Sequence, residues 1–370
     1  MCRICFTILA IISGAQMIYA ETIPFYIGTY TKGGLSEGIY RSELDVQSGA
    51  IKDCILAAKA VNPSFLTSDK DGRFVYAVSE SDGQGAVEAF KIDKASGSLE
   101  FINRRPSGGS SACYVSIDMT GKYLFAANYG SGTVSVTPIK QDGSLAETSC
   151  LVQHQGETVA DKTRSPHAHS VKVSSDNRFV FVADLGLDKV MIYGFDAEKG
   201  VISPGEPAFV KLKDGSGPRH FVFAPNGKYM YVINELGGTI AVLTYDAAAG
   251  ALSEVQTIST LPAGLGGWNA CAEVCIDPQG RFLYGSNRGH NSIAVFSINQ
   301  SDGMLKAVQC QAEGIDTPRN FCIDPTGKFC LVANQKSDCI IVFKINPQTG
   351  ALEPTEYKIK VDKPVCIRFY

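Results

Sequence analysis

The sequence repeats itself, and the length of the repeat limits what the chain can fold into. A turn followed by an alternating strand recurs as Asp71-Gly-Arg-Phe-Val-Tyr-Ala, Gly121-Lys-Tyr-Leu-Phe-Ala-Ala-Asn and Asn177-Arg-Phe-Val-Phe-Val-Ala-Asp. It returns as Gly227-Lys-Tyr-Met-Tyr-Val-Ile-Asn, Gly280-Arg-Phe-Leu-Tyr-Gly-Ser-Asn and Gly327-Lys-Phe-Cys-Leu-Val-Ala-Asn. The turn residues at 72, 121, 177, 227, 280 and 327 are spaced by 49, 56, 50, 53 and 47. Gly or Asn there supplies the positive φ that a tight hairpin needs. A second strand phrase ends on Gly49, Gly97, Gly143, Gly200, Gly250, Gly303 and Gly350, so it occurs seven times.

Seven units of about 50 residues, rich in β-branched and aromatic side chains, predict an all-β fold. The expected architecture is a seven-bladed β-propeller with four-stranded antiparallel blades. Helical periodicity is nowhere sustained. The last unit is split: Lys363-Pro-Val-Cys-Ile-Arg-Phe-Tyr370 matches the strand that opens each other unit, and Pro24-Phe-Tyr-Ile-Gly-Thr-Tyr30 is its missing partner. Pairing strands from both termini closes the ring and removes two exposed edges. One domain over residues 22–370 is expected.

Composition narrows the function. Of 370 residues 45% are hydrophobic and 19% charged, enough apolar material for a full core. The net charge is −3 and there is no basic run, so nucleic-acid binding has no electrostatic support. Residues 1–20 carry Arg3, an apolar run from Ile4 to Ile12 and a small residue, Ala20, before Glu21. That is the layout of a secretory signal peptide, although Ile18 departs from the usual cleavage pattern. The chain is therefore expected to be exported, periplasmic or secreted, with no membrane span in the mature part. Ten of the twelve cysteines lie beyond that segment, several in apolar strand phrases, and read mainly as core thiols. A monomer or weak oligomer is expected.

Chemistry is sought where the blades converge. Positions equally far before and after each hairpin turn should lie at one end of the central channel. Eight residues before the turn stand Ser64, Cys113, His169, Arg219, Ala272 and Arg319; eight after it stand Glu80, Tyr129, Leu185, Glu235, Arg288 and Gln335. The split unit adds Val365 and Tyr30, and the preceding row holds Asn128, Asp184, Asn234, Asn287 and Asn334. Structural repetition alone predicts similar residues at equivalent positions. This ring instead holds large, unlike and ionisable ones, the pattern of a functional site.

Other motifs carry less. Gly34-Leu-Ser36-Glu-Gly38 fits a nucleophile elbow by letter only, since no helix follows it. His167 and His169 have the spacing of a metal pair but no third ligand, so neither metal nor cofactor is expected. His154 and His290 stand alone and are expected to face solvent, and Trp268 is either a rim packing residue or a ligand platform.

Pro166-His-Ala-His169-Ser, Gly217-Pro-Arg219-His220, Asn234-Glu235, Ser286-Asn-Arg288 and Pro318-Arg319 resemble the lactonase family of seven-bladed propellers. That family is typified by propeller-type 6-phosphogluconolactonases, and the chain also resembles the fungal carboxy-muconate lactonising enzymes, which share the fold. The resemblance implies metal-free hydrolysis of an anionic sugar lactone, with Glu235, His169, Arg219 and Arg288 catalytic. Arg319, His167, Asn234, Gln335 and Trp268 are the expected substrate contacts. Glu235 or His169 would be the base. A non-catalytic propeller that binds a sugar acid or a protein, or a muconate-type cycloisomerase, would use the same cluster.

Overall fold

The computed structural model describes residues 22–156, 165–265 and 267–370. Residues 1–20, read above as an export signal, lie outside the described residues. Seven four-stranded sheets surround a channel, six of them ordered outward from it along the chain. The innermost strands are Leu66–Ser68, Ala112–Ile117, Ala168–Val173, Pro218–Phe223, Ala270–Ile276, Pro318–Ile323 and Pro364–Phe369, which number blades one to seven. In blade seven the innermost strand pairs with Thr22–Thr29, bringing Phe25 opposite Phe369 and Ile27 opposite Ile367. The expected closure by both termini is therefore present.

Local chemistry explains the repeat. The hairpin residues Gly72, Gly121, Asn177, Gly227, Gly280 and Gly327 all have φ between 58° and 74°. Three residues before Gly121, Asp118 Oδ1 accepts from the backbone N–H of Lys122 at 2.7 Å and Tyr123 at 2.8 Å. Asp69, Asp277 and Asp324 repeat that arrangement in blades one, five and six. The glycine ending the second phrase fits one blade to the next. Gly303 has φ of 71°, and a Cβ there would lie 2.6 Å from the Tyr229 ring of the preceding blade. Two residues further on, the Tyr231 hydroxyl donates to the Gly303 carbonyl at 3.0 Å. Tyr26, Tyr76 and Tyr284 make the same bond to Gly97, Gly143 and Gly350.

The register differs from a plain hairpin in one respect that matters for the site. Pro218 opposes Asn234 and His220 opposes Ile233, which leaves Arg219 as an extra residue. Cys113, His169, Arg319 and Val365 occupy the same extra position in their blades, and blade five is shifted between Cys271 and Val274. A β-bulge bends the strand and re-aims the extra side chain. Equal counting from the turn therefore places these residues at the same end of their blades, but the pairing across the hairpin is offset. Glu235 donates its backbone N–H to the Gly217 carbonyl at 2.7 Å, so its backbone does not pair with that of Arg219.

The core lies between blades, where aromatic and β-branched faces of neighbouring sheets meet. All ten cysteines among the described residues are unbridged; Cys113, Cys271, Cys330 and Cys366 are buried. The Ser36 hydroxyl, from the rejected nucleophile motif, is buried in a loop against Thr29 Oγ1 at 2.5 Å.

Candidate active site

At one mouth of the channel Glu235 lies between two guanidiniums. Its Oε2 is 2.9 Å from Nε of Arg219 and 3.0 Å from Nη2 of Arg288. The Arg219 contact is an ion pair whose N–H is not aimed at the oxygen. Both arginines hold the same carboxylate oxygen. Oε1 has no protein partner among the described residues.

These three groups differ in access. The Glu235 and Arg288 side chains are 20% and 11% exposed, whereas that of Arg219 is 3% exposed and sits beneath them. Arg288 is aimed by two carbonyls, Ala270 to Nε and Cys271 to Nη2, each at 3.2 Å. Arg219 is anchored by Nη1, which is 2.8 Å from the Ala272 carbonyl and 3.1 Å from Nε2 of His220.

The opposite side of the mouth is built around Glu80. Its Oε2 accepts from the Tyr30 hydroxyl at 3.0 Å and from Ser64 Oγ. The guanidinium of Arg319 lies 5.4 Å from the centre of the Tyr30 ring. Three guanidiniums against two carboxylates leave the mouth with one net positive charge, suited to an anion. His169 packs edge-on to Tyr129 at 5.5 Å and to His220 at 5.2 Å. His167 stacks on Tyr129 at 4.4 Å and places Nδ1 2.8 Å from the Tyr129 carbonyl.

Electrostatics assign the charge states. Burial raises the Glu235 carboxyl, but Arg219, Arg288 and Arg319 outweigh it and leave the group below the usual carboxylate range. Burial, then Arg219, His220 and Arg319, push His169 well below the ordinary imidazole value, so it is neutral at pH 7. Burial, then Arg219, lower Arg288 to about 10. Burial lifts the Tyr30 phenol to about 12.

A second layer lies one step down the channel and was missed in the sequence. His220 Nδ1 is 3.0 Å from Oε1 of Glu273, and Asn320 Nδ2 donates to Oε2 of that carboxylate at 2.5 Å. Burial raises the Glu273 carboxyl, but His220, Arg368 and Lys172 together bring it to about 2. Burial lowers His220 to about 4. A neutral imidazole that donates from Nδ1 to Glu273 presents an Nε2 lone pair to Arg219. The available signal was position: Phe65, Tyr114, Ser170, His220, Glu273, Asn320 and Cys366 form the row after the bulge.

Several expected residues stand elsewhere. Asn234 is 1% exposed and its Nδ2 donates to Thr239 Oγ1 at 3.0 Å. It braces the turn to the third strand, as Asn128 and Asn287 do through Thr133 and Ser292. Gln335 is half-buried beside the mouth row, and Trp268 is 73% exposed, covering Gly289 at the rim. His154 corrects the solvent-facing expectation: it is buried, with Nδ1 2.6 Å from Oδ2 of Asp184. His290 is half-buried and bonded to Ser292 Oγ at 2.8 Å. Among the described residues no group of three His, Cys, Asp or Glu side chains could hold a metal ion.

Comparison with known proteins agrees with this fold. Residues 24–369 match the family described as lactonase, 7-bladed beta-propeller. A 6-phosphogluconolactonase of Bacillus subtilis is 38% identical over 296 residues, 80% of this chain and 83% of that protein. A 6-phosphogluconolactonase of Formosa agariphila is 34% identical over 303 residues, covering 80% and 85%. The structure of a periplasmic gluconolactonase from Pseudomonas aeruginosa superposes with a TM-score of 0.89 at 35% identity, covering 94% of this chain and 99% of that one. The match over residues 24–369, with the repeat and the closed ring, places this chain in the seven-bladed β-propeller lactonase family.

Proposed function

We propose that the chain hydrolyses a sugar lactone at the mouth that holds Glu235. The observation that carries this reading is the carboxylate held through Oε2 by two arginines, with Oε1 free of protein partners among the described residues. Ester opening needs a base for water, a donor for the developing oxyanion and a grip on the substrate. Glu235 Oε1 takes a proton from water as the water oxygen bonds to the lactone carbonyl carbon. The accessible edge of Arg288 stabilises the resulting oxyanion. When the tetrahedral intermediate collapses, the bond to the ring oxygen breaks and that oxygen takes the proton from Glu235. One water is consumed and a hydroxy acid is formed.

Arg219 is a positioning residue in this scheme. It lies beneath the carboxylate and keeps it ionised. The neutral imidazole of His169 suits hydroxyl recognition, and Arg319 suits a carboxylate or phosphate on the substrate. An exported chain would meet an unphosphorylated aldonolactone, and the layout of residues 1–20 supports export. The test compares gluconolactone with its 6-phosphate, reading acid release at constant pH. Because these lactones also open in water, the Glu235→Gln protein is the control. Turnover equal in both proteins would remove this reading.

A further inference from the structure

The far end of the channel holds a cavity of about 480 Å³ that the lactonase reading does not use. Its walls come from the innermost strands of blades one, two, three and seven, with Phe65, Thr67, Tyr114, Lys172 and Arg368 among the lining residues. Phe65 and Tyr114 stack at 4.0 Å, and the His220 ring stands edge-on to them at 5.6 and 5.1 Å. These three rings separate the cavity from the mouth.

The polar groups facing this space are mainly donors. Lys172 Nζ has no hydrogen bond or ion pair among the described residues; it lies 5.8 Å from the Phe221 ring centre, and Glu273 acts on its charge from a distance. Arg368 gives Nε to the Leu66 carbonyl at 3.0 Å and Nη1 to Ile367 at 3.4 Å, and lies 4.6 Å from the Phe65 ring centre. Its Nη2 and the Tyr114 hydroxyl have no hydrogen-bond partner among the described residues. The one carboxylate in the wall, Asp118, is engaged by the N–H groups of Lys122 and Tyr123, by Thr120 Oγ1 and by Asn177 Nδ2. Glu273 offsets part of the two positive charges from outside the cavity, since it does not line it and is bound to His220 and Asn320. Two half-buried cations at a largely apolar, half-open wall, with the exposed Lys70 at its edge and one remote carboxylate, leave a place for a negative charge.

We propose that this cavity is a second anion-binding site, which takes a small carboxylate or phosphate between Lys172 and Arg368 with its uncharged body against Phe65 and Tyr114. The site does not depend on the reaction assigned to the other mouth. Calorimetric titration of the full chain with gluconate, and separately with inorganic phosphate, tests it. Wild type should show two classes of site for at least one probe. Lys172→Met should abolish one class or weaken it at least tenfold, and Arg288→Ala should weaken the other. The probe that responds tells carboxylate from phosphate. If Lys172→Met fails to fold, Thr67→Asp, which places a carboxylate in the wall, should remove the same class. Titrations of the folded variant that match wild type, or no saturable binding of either probe, overturn the proposal. Lactone turnover by the same variants reads the first mouth separately.

Discussion

Nη1 of Arg219 lies 3.1 Å from Nε2 of His220, although the two residues are neighbours in the chain. On a regular strand successive side chains point to opposite faces, so such neighbours could not meet. The bulge at Arg219 turns both toward the channel. A chain of contacts then runs from Asn320 through Glu273, His220 and Arg219 to Glu235, joining blades four, five and six.

Glu235→Gln should lower kcat by roughly 100-fold or more, the loss typical of removing a general base. The side chain keeps its size, so the effect should fall on kcat more than on KM. Initial-rate measurements of acid release check this.

Arg288→Ala should lower kcat/KM by roughly 100-fold, as when an oxyanion donor is removed. Arg288→Lys should recover little, because the two carbonyls of Ala270 and Cys271 aim a planar guanidinium. Steady-state kinetics of both variants with one lactone decide it.

His220→Phe keeps the ring stack but removes the acceptor for Arg219 and the partner of Glu273. Activity should fall several-fold. Glu273→Gln should also lower the thermal midpoint, because breaking a buried charge network by removing one partner costs about 3–5 kcal/mol. Calorimetry beside kinetics separates the two effects.

Acid should destabilise the fold. Glu273 titrates near 2 in the folded chain, below its ordinary 4.5, so its contribution is complete above pH 4.5 and is lost as pH falls toward 2. His220 titrates near 4, below its ordinary 6.5. The unfolded chain therefore takes up a proton first, and stability declines from pH 6.5 down to about 4. Both signs agree. Thermal midpoints should be level from pH 7 to 8 and fall below pH 6.5; a midpoint that rises on acidification contradicts these assignments.

Gly303→Ala should destabilise the chain by about 1–3 kcal/mol through overpacking against Tyr229 and a strained φ. The activity of the folded fraction should be unchanged, since this contact lies between blades. Denaturant titration gives the first quantity and active-site-normalised rates the second.

Much of this protein was legible in the order of its residues. Seven spaced glycines and six hairpin turns determine the blade count, because each requires a positive φ or room for a neighbouring ring at one place in every unit. The split seventh unit determines how the ring closes, because an unpaired edge on either terminal strand would otherwise remain. Counting from the turns also collects Glu235, Arg219, Arg288, Arg319 and His169 in two rows at one mouth. Tertiary structure decided the rest. Whether a row faces substrate or braces its own blade depends on bulges and turns that the count does not register, so Asn234 holds a turn and His154 is buried against Asp184. Glu273 and His220 acquire their roles only when strands about fifty residues apart place them 3.0 Å apart inside the channel. No local pattern encodes that distance, because it comes from the curvature of the closed ring.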